Sequence, residues 1–429
     1  MSTKNVAIVG GGLAGLMAAY TLLKTKTVEV DLFEAESHVG GRVHSRNVRG
    51  QAVDFGGFLI YPWYTNVHHL FKELGLEDTL VKTPLSDIYY FLDGSGVPIK
   101  ENEIPFPARE SVEIWSKSFL KLLPKTDVSQ PNLDRFEHKT VSAYLRSLLK
   151  TTGHAGLYET FFDTVNQGYC YGPAEQTKAA FMAPMVRQMT LHGDIRRTSV
   201  FPQGTRTLTN RLEEEIKKRG GRIHFETPVM GVNGLTLKTT QGTFQAGAII
   251  FAQTVATDLY QQILPDVKTA CTYTHFITAA AEVSSTPLIA DTQNWGAAFY
   301  ASTEKRPRQI LSAINLASLY GPTLENCLML NIVLRDEKDL SLTSEKLKQM
   351  VIDELRSLFP KSSPEKVIDY VHWKKTMPVA QETFVQTIRD RQGRNGYFFA
   401  GDFLGAPSME TAVSTGLRAA QQLLTSRPN

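Results

Sequence analysis

Three glycines near the amino terminus have the spacing of a phosphate-binding turn. Gly10, Gly12 and Gly15 follow the apolar residues 6–9 and open the apolar stretch that begins at Leu13. In such a turn the first glycine permits a tight bend, the second lets backbone approach a pyrophosphate, and the third allows close helix–strand packing. The free N–H groups at the start of that helix attract negative charge. The pattern indicates a nucleotide site, although glycine-rich turns after strands also occur for structural reasons alone.

A carboxylate stands where a dinucleotide fold needs one. Glu34 ends the alternating apolar segment 27–34, a predicted strand, and lies 19 residues beyond Gly15. An acid at this place hydrogen-bonds a ribose hydroxyl and disfavours a 2′-phosphate. The alternative is a solvated glutamate at a strand end.

A second glycine cluster follows, with Gly40, Gly41 and Arg42 and then Gly56 and Gly57. Paired glycines permit close backbone approach, and the arginine adds a fixed positive charge. Together they suit a longer cofactor whose pyrophosphate and second ring system run past this loop. Two tight turns without a ligand are the structural alternative.

The carboxyl end repeats the arrangement of a strand followed by a helix start. Residues 396–402 form an apolar run that ends in Gly401 and Asp402, and apolar residues recur at helical spacing from Met409 onward. Ser408 is a suitable N-cap for that helix. Asp402 can accept hydrogen bonds from sugar hydroxyls, and the helix dipole favours the negative charge of a reduced flavin.

The order of these patterns predicts an α/β fold with a discontinuous Rossmann-like domain. Residues 1–83, 200–256 and 384–429 are assigned to the cofactor-binding domain. Residues 84–199 and 257–383 are assigned to an inserted α+β domain that binds substrate. The expected helices are 13–24, 66–76, 208–219, 344–359 and 409–424, and the expected later strands are 222–225 and 247–252.

Aromatic residues concentrate in the inserted segments. Residues 161–189 are rich in Phe, Tyr, Met and Ala, which is typical both of a pocket for a bulky substrate and of ordinary core. Cys170 has no base nearby in sequence and is expected to be buried or to line the pocket. The candidate pocket residues are Tyr61, Trp63, Tyr169, Tyr171 and Trp295.

Composition narrows the function classes. The 429 residues are 42% hydrophobic and 21% charged, with a formal net charge of +3 and scattered basic residues, so nothing indicates a nucleic-acid surface. Three cysteines far apart in sequence indicate neither a disulfide framework nor a zinc site, and a reducing, cytoplasmic compartment is expected.

Two segments raise the question of a membrane. Residues 6–23 carry no charge, but three consecutive glycines would weaken a spanning helix there. Residues 111–123 form a basic amphipathic pattern that suits either peripheral membrane contact or, preferably, packing on a domain core. We therefore expect a soluble protein, with attachment to a membrane surface as the alternative.

The motifs together resemble the flavin-containing amine oxidase superfamily, which includes phytoene desaturase-like enzymes and protoporphyrinogen oxidases. Besides the residues above, the matching pieces include Asp54, Val229 and the run 409–412, in which Thr411 replaces a common glycine. The resemblance implies FAD. The implied cofactor-binding residues are Gly10, Gly12, Leu13, Ala14, Gly15, Glu34, Ala35, Gly40, Gly41, Arg42, Gly56, Gly57, Val229, Gly401, Asp402 and Met409.

The same resemblance implies a role for each part of the site. Glu34 would bind the adenosine ribose, the Val229 backbone would lie against adenine, and Arg42 would lie along the phosphates or the flavin. Asp402 would lie near the pyrophosphate and ribityl chain, and the Met409 backbone near the flavin pyrimidine edge.

Two features separate the branches of this superfamily. Residues 404–408 lack the aromatic that amine oxidases place before their Met-Glu pair, and Trp373 to Pro378 resembles a segment of the desaturase and protoporphyrinogen oxidase branch. We expect dehydrogenation of an apolar isoprenoid, polyene or tetrapyrrole-like substrate by hydride transfer to flavin, with oxygen or a quinone as acceptor. No metal and no general base is assigned. The alternatives are an amine or amino-acid oxidase and a non-catalytic flavin-binding sensor or scaffold.

Overall fold

The structure is a computed structural model. It describes residues 4–85, 87–92, 97–100, 103, 127–149, 155–169, 172–192, 197–255, 258–265, 271–301, 310–334 and 337–426. Cys170, Tyr171 and the amphipathic segment 111–123 lie outside these residues.

The described strands and helices follow one another in this order. Strands β1 to β21 are Lys4–Val9, Val28–Phe33, Ser45–Val48, Gln51–Asp54, Val81–Lys82, Ile88–Phe91, Ile99–Lys100, Ser199–Val200, Arg222–His224, Val229–Asn233, Thr236–Thr239, Gly242–Gln245, Ala248–Phe251, Cys271–Tyr273, Phe276–Val283, Ala297–Tyr300, Ile310–Asn315, Cys327–Val333, Pro364–Trp373, Pro378–Ala380 and Tyr397–Phe399. Helices α1 to α11 are Leu13–Lys24, Thr65–Leu74, Val141–Leu149, Ala155–Gly168, Ala179–His192, Arg206–Lys218, Asp258–Ile263, Leu316–Tyr320, Ser344–Leu358, Glu382–Asp390 and Met409–Thr425.

A parallel five-stranded sheet forms the cofactor-binding half. Its strand order is β21-β13-β1-β2-β9, and every neighbouring pair is parallel. Residues 6–9 of β1 and 248–251 of β13 are apolar and buried on both faces of the sheet. One face packs against α1 and α11, and the other packs against α7 and the three-stranded sheet β10-β11-β12. Strand β1 has β2, the next strand in sequence, on one side and β13, which comes much later in the chain, on the other. This switch of strand order creates a crevice at the carboxyl end of β1.

A seven-stranded sheet forms the second half, in the order β19-β15-β18-β17-β16-β6-β7. Its outer face packs against α9 through Leu347, Val351 and Leu355. Its inner face packs against α4, including Phe161, and against the β3–β4 hairpin of the first half, including Phe55. In sequence, β6 and β7 of this sheet precede strands β9 and β13 of the first half, and β15 to β19 follow them. This order confirms the predicted α/β fold, in which the cofactor-binding part is discontinuous in sequence. The predicted domain limits stay a prediction.

Most predicted elements are present, and the differences are small. The segment 257–383 was expected to hold one helix at 344–359, but it also contains α7 and α8, which have six and five residues. Helices this short do not complete two turns, so apolar periodicity gives them no signal. Within the described residues, no helix is both long and apolar enough to cross a membrane.

Candidate functional site

The amino-terminal glycine turn has the geometry that its spacing requires. Gly10 has a φ of +106°, and its N–H donates to the Phe33 carbonyl oxygen at 2.8 Å, which ties β1 to β2. A Cβ on Gly15 would lie 2.0 Å from the Gly10 oxygen, so α1 crosses the turn without room for a side chain. A Cβ on Gly12 would meet nothing within 4 Å. The backbone at Gly12 therefore faces open space at the start of α1.

Glu34 lies at the rim of this turn. The Gly11 N–H donates to Glu34 Oε2 at 2.6 Å, and the Glu36 N–H donates to Oε1 at 2.9 Å. Each carboxylate oxygen keeps a further lone pair for a ligand hydroxyl. The Thr227 N–H donates to the Glu34 carbonyl at 2.8 Å, which brings the start of β10 at Val229 to the same end of the sheet.

The second glycine cluster packs directly on the first. The Gly40 N–H donates to the Gly11 carbonyl at 2.9 Å. Gly41 has a φ of +56°, and a Cβ there would lie 3.3 Å from the Gly12 Cα. The two loops thus form one continuous backbone surface. A cofactor long enough to contact both glycine clusters, as predicted from the sequence, requires such a surface.

Arg42 and Asp402 join the two ends of the chain. The Arg42 Nη1 and Nη2 atoms donate to Asp402 Oδ2 and Oδ1, each at 2.6 Å, and Nη1 also donates to the Thr376 carbonyl at 2.6 Å. The Asp402 side chain is 6% exposed and that of Arg42 is 32% exposed. Burial opposes the guanidinium charge, but the Asp402 carboxylate outweighs it and raises the pKa of Arg42. Sequence reasoning placed both residues at the site and missed their pairing.

The start of α11 reaches the same place. Ser408 caps this helix as predicted, because its Oγ accepts from the Thr411 N–H at 3.1 Å. A Cβ on Gly57 would lie 3.8 Å from Met409 Cγ, so the amino-terminal loop meets the first residue of α11. The buried Thr411 hydroxyl donates to the Ala406 carbonyl.

Sequence reasoning missed the role of Glu410. Its buried carboxylate accepts from the backbone N–H groups of Asn66 and Val67 at 3.0 and 3.1 Å, and from Asn66 Nδ2 at 2.7 Å. Helix α2 has no capping bond from its own N-cap residue, Tyr64. Burial raises the pKa of Glu410, and the hydrogen bonds oppose that rise. The sequence held no signal for this distant cap, because Thr65 stands directly before the predicted helix start at residue 66 and would be expected to cap it locally.

The predicted pocket aromatics separate into groups. Tyr61 and Trp63 lie together beside α2, with ring centroids 5.3 Å apart and both side chains buried. The Trp63 Nε1 atom is buried without a hydrogen-bond partner among the described residues. Tyr169 packs against the same cluster as Tyr61 and Trp63 and also stacks on Phe299 of the seven-stranded sheet, at 5.7 Å between centroids.

Trp295 lies elsewhere, in the core on the outer face of the seven-stranded sheet. It is 0% exposed, its Nε1 donates to the Pro287 carbonyl at 2.8 Å, and its ring stacks near Phe359. Tyr169 and Phe299 pack with the inner face. The sheet thus separates Trp295 from Tyr169. The sequence could not show this, because core and pocket have the same aromatic composition.

Comparison with known proteins places these observations among flavoproteins. A family model described as flavin containing amine oxidoreductase matches residues 13–424. The 1-hydroxycarotenoid 3,4-desaturase of Flavobacterium sp. (strain P99-3) is 23% identical over 291 residues, covering 62% of this chain and 59% of that protein. The chain spans about half the length of the curated relatives it matches.

Solved structures share the fold over nearly the whole chain. A CLA-producing fatty acid isomerase from P. acnes has a TM-score of 0.76 at 15% identity, covering 97% of this chain and 98% of its own. Cyclohexylamine oxidase from Brevibacterium oxydans IH-35A has a TM-score of 0.72 at 18% identity and covers 98% of both chains. These matches confirm the predicted fold class.

Proposed function

The chain belongs to the flavin containing amine oxidoreductase family, and we propose that it is an FAD-dependent enzyme that dehydrogenates a largely apolar substrate. Family membership confirms the predicted resemblance, the flavin cofactor and the oxidoreductase class. The proposal adds the form of the flavin, the residues that hold it and the substrate class.

The observation that carries the proposal is the meeting of five segments, from both ends of the chain, at the carboxyl end of β1. We call this surface the cofactor cradle, formed by residues 10–15, 34–35, 40–42, 56–57 and 401–409. The cradle has free space next to the Gly12 backbone, and α11 begins beside Gly57. The Arg42 guanidinium of the cradle is held by Asp402. Two helix starts and a fixed cation suit an anionic pyrophosphate and an electron-rich ring system.

Each end of the cradle receives a part of FAD in this proposal. The N–H groups of Gly12, Leu13 and Ala14 bind the pyrophosphate, since the first turn of a helix has unpaired donors. Glu34 and Ala35 meet the adenosine ribose, and the Val229 backbone lies against adenine. The residues at the other end of the cradle are assigned to the phosphates and the flavin. They are Gly40, Gly41, Arg42, Gly56, Gly57, Gly401, Asp402 and Met409.

The substrate class is supported by Tyr169, which packs both against the cluster that contains Tyr61 and Trp63 and against the inner face of the seven-stranded sheet. Tyr61, Trp63 and Tyr169 are assigned to the pocket wall, whereas Trp295 is not. One relative is named for a carotenoid substrate and one structural neighbour for a fatty acid, and both are largely apolar compounds. The predicted domain limits, 84–199 and 257–383 for the substrate domain, are part of the proposal.

The chain contributes alignment and exclusion of water more than proton transfer. A bound flavin would supply the two-electron oxidation: it would take up the hydride and the proton that the substrate loses, and it would later pass two electrons and two protons to oxygen or a quinone. The aromatic wall holds a C–H bond over the ring and keeps water out, which requires few catalytic side chains. The ion pair with Asp402 holds the Arg42 guanidinium in one fixed orientation.

Anaerobic mixing of the purified holoprotein with a panel of carotenoid precursors, porphyrinogens and amines tests this proposal. We expect loss of the oxidised flavin absorbance with a member of the first two groups and not with amines. Tyr169→Leu should slow the reduction about tenfold by loosening substrate alignment, whereas Trp295→Phe should leave its rate unchanged. Reduction by amines alone would favour the amine oxidase alternative, and reduction by no compound would favour a flavin-binding sensor or scaffold.

A further inference from the structure

Four polar side chains cross the inner face of the seven-stranded sheet as one hydrogen-bonded chain. Trp373 Nε1 donates to Thr278 Oγ1 at 3.2 Å, and Thr278 Oγ1 donates to Asn331 Oδ1 at 3.0 Å. Asn331 Nδ2 then donates to Ser312 Oγ at 2.9 Å. The four residues stand on the neighbouring strands β19, β15, β18 and β17, in that order. We call them the polar ladder.

The ladder has one direction. An indole nitrogen only donates, so the Thr278 hydroxyl accepts from Trp373 and sends its own proton to Asn331 Oδ1. This orients the Asn331 amide with its nitrogen toward Ser312. The Ser312 hydroxyl proton and the second Asn331 N–H then have no acceptor among the described residues. The ladder ends in donors that a ligand oxygen can satisfy.

Two members of the ladder are partly exposed, Asn331 and Trp373, whereas Thr278 and Ser312 are 4% and 2% exposed. Alternation along β18 places Asn331 on the same face as Met329, and Asn331 keeps partial exposure although its strand is central in the sheet. Met329 and Ala280, further along this face, are buried at 3% and 0% exposure. Asn331 thus stands where the tight packing of the inner face ends.

The same end of the sheet borders the cofactor cradle. The Trp373 ring stands edge-on to the His44 ring at 6.0 Å between centroids. Three residues further on, the Thr376 carbonyl accepts from Arg42. The polar ladder and the cofactor cradle are therefore joined through the short segment 373–376.

We propose that the polar ladder binds a neutral oxygen acceptor, a hydroxyl, ether or carbonyl group, on an otherwise apolar substrate. This inference rests on the proposed function and narrows its substrate class. All four ladder side chains are uncharged, so a carboxylate buried there would lose water without gaining a countercharge. A neutral oxygen completes the ladder, whereas a pure hydrocarbon leaves its donors unpaired, and such a site rejects the analogue that lacks the oxygen.

Equilibrium dialysis of the holoprotein against farnesol and against its hydrocarbon farnesene tests the ladder without requiring turnover. After correction for partition into detergent, we expect about tenfold tighter binding of farnesol. Asn331→Leu and Ser312→Ala should remove that preference by weakening farnesol alone. Thr278→Ser should keep it, because the hydroxyl is retained, and Thr278→Val should reduce it.

Controls separate recognition from packing. Ser318→Ala removes a hydroxyl bonded only to the Asn315 carbonyl, outside the ladder, and should leave both affinities unchanged. Flavin content and thermal midpoint verify that every variant is folded. The inference would be overturned if the wild type bound farnesol and farnesene equally well or bound neither. It would also be overturned if Asn331→Leu weakened the binding of both compounds equally. The dialysis measures binding and the substrate panel measures flavin reduction. Failure of the polar ladder inference can therefore be distinguished from failure of the proposed function.

Discussion

The two halves of the molecule form their binding surfaces from different parts of the chain. In the cofactor cradle the surface at the glycine turns is backbone, and a Cβ on Gly15 would stand 2.0 Å from the Gly10 oxygen. On the seven-stranded sheet the surface is side chains, as in the ladder from Thr278 to Ser312. An added methyl group should therefore destroy the first surface, whereas an exchange of side chains should change what the second surface binds.

The largest effect expected is from Gly15→Val. Its branched side chain cannot fit against the Gly10 carbonyl, and separating α1 from β1 disrupts the parallel sheet. We expect no folded protein, or a thermal midpoint far below that of the wild type by circular dichroism. Gly12→Val is the matched control, since its Cβ meets nothing within 4 Å and the variant should fold. Similar midpoints for the two variants would contradict the backbone character of the cradle.

Asp54 lies at the boundary between the two halves and gives a pH test. Its carboxylate accepts from the Thr205 N–H at 2.8 Å in one half and from the Tyr320 hydroxyl at 3.2 Å in the other. Burial raises the pKa of Asp54 to about 6, although these hydrogen bonds oppose the rise. The folded state then holds a proton that the unfolded state has released, so this group lowers stability as pH rises from about 4 to 6.

The ionisation of Asp54 should lower the free energy of unfolding by about 2 kcal/mol as pH rises from about 4 to 6, and we expect Asp54→Asn to remove this loss. The measurement is the free energy of unfolding in urea at pH 4.5 and 6.5 for both proteins. The same pH dependence in both would show that Asp54 is not the titrating group.

Arg42→Met tests the link between the chain termini. The substitution leaves the Asp402 carboxylate 6% exposed and unpaired. Breaking a buried pair costs several kcal/mol, and because Arg42 is one-third exposed we expect a smaller loss of about 2 kcal/mol. Urea unfolding of Arg42→Met, Asp402→Leu and the double variant measures it. The double variant should recover part of the loss, and strictly additive losses would argue against direct pairing.

The smallest effect expected is from Glu410→Gln. The amide keeps one accepting oxygen for the Asn66 or Val67 N–H and loses the other, which should cost about 1 kcal/mol of stability. Glu410→Ala should cost about twice as much, because both N–H groups lose their partner. Thermal unfolding compares the two. Equal midpoints for wild type and Glu410→Ala would remove the role of Glu410 as a cap for α2.

The difference between the halves also explains what the sequence could predict. Gly10, Gly15 and Glu34 serve a backbone turn within one short stretch, and Ser408 caps the helix that follows it directly, so local spacing revealed them. Contacts between distant side chains leave no such spacing. The pairing of Arg42 with Asp402 spans 360 residues and was not anticipated.

The second half was harder to predict for the same reason. The polar ladder draws one residue from each of four strands, and none of the four stands in a recognisable motif. Trp295 was expected in the pocket and lies in the core, because pocket and core share the same aromatic composition. Only the pairing order of the strands shows which side chains share the inner face.

The most direct test of the account is the flavin content of purified wild-type protein and of Gly12→Val. We predict one FAD per wild-type chain, released on denaturation and measured by its absorbance and chromatographic retention. Gly12→Val should be folded, with a thermal midpoint near that of the flavin-free wild type, and should contain little or no FAD, because its side chain occupies the space proposed for the pyrophosphate. Wild-type protein without flavin, or Gly12→Val with a full complement of FAD, would contradict the cofactor cradle.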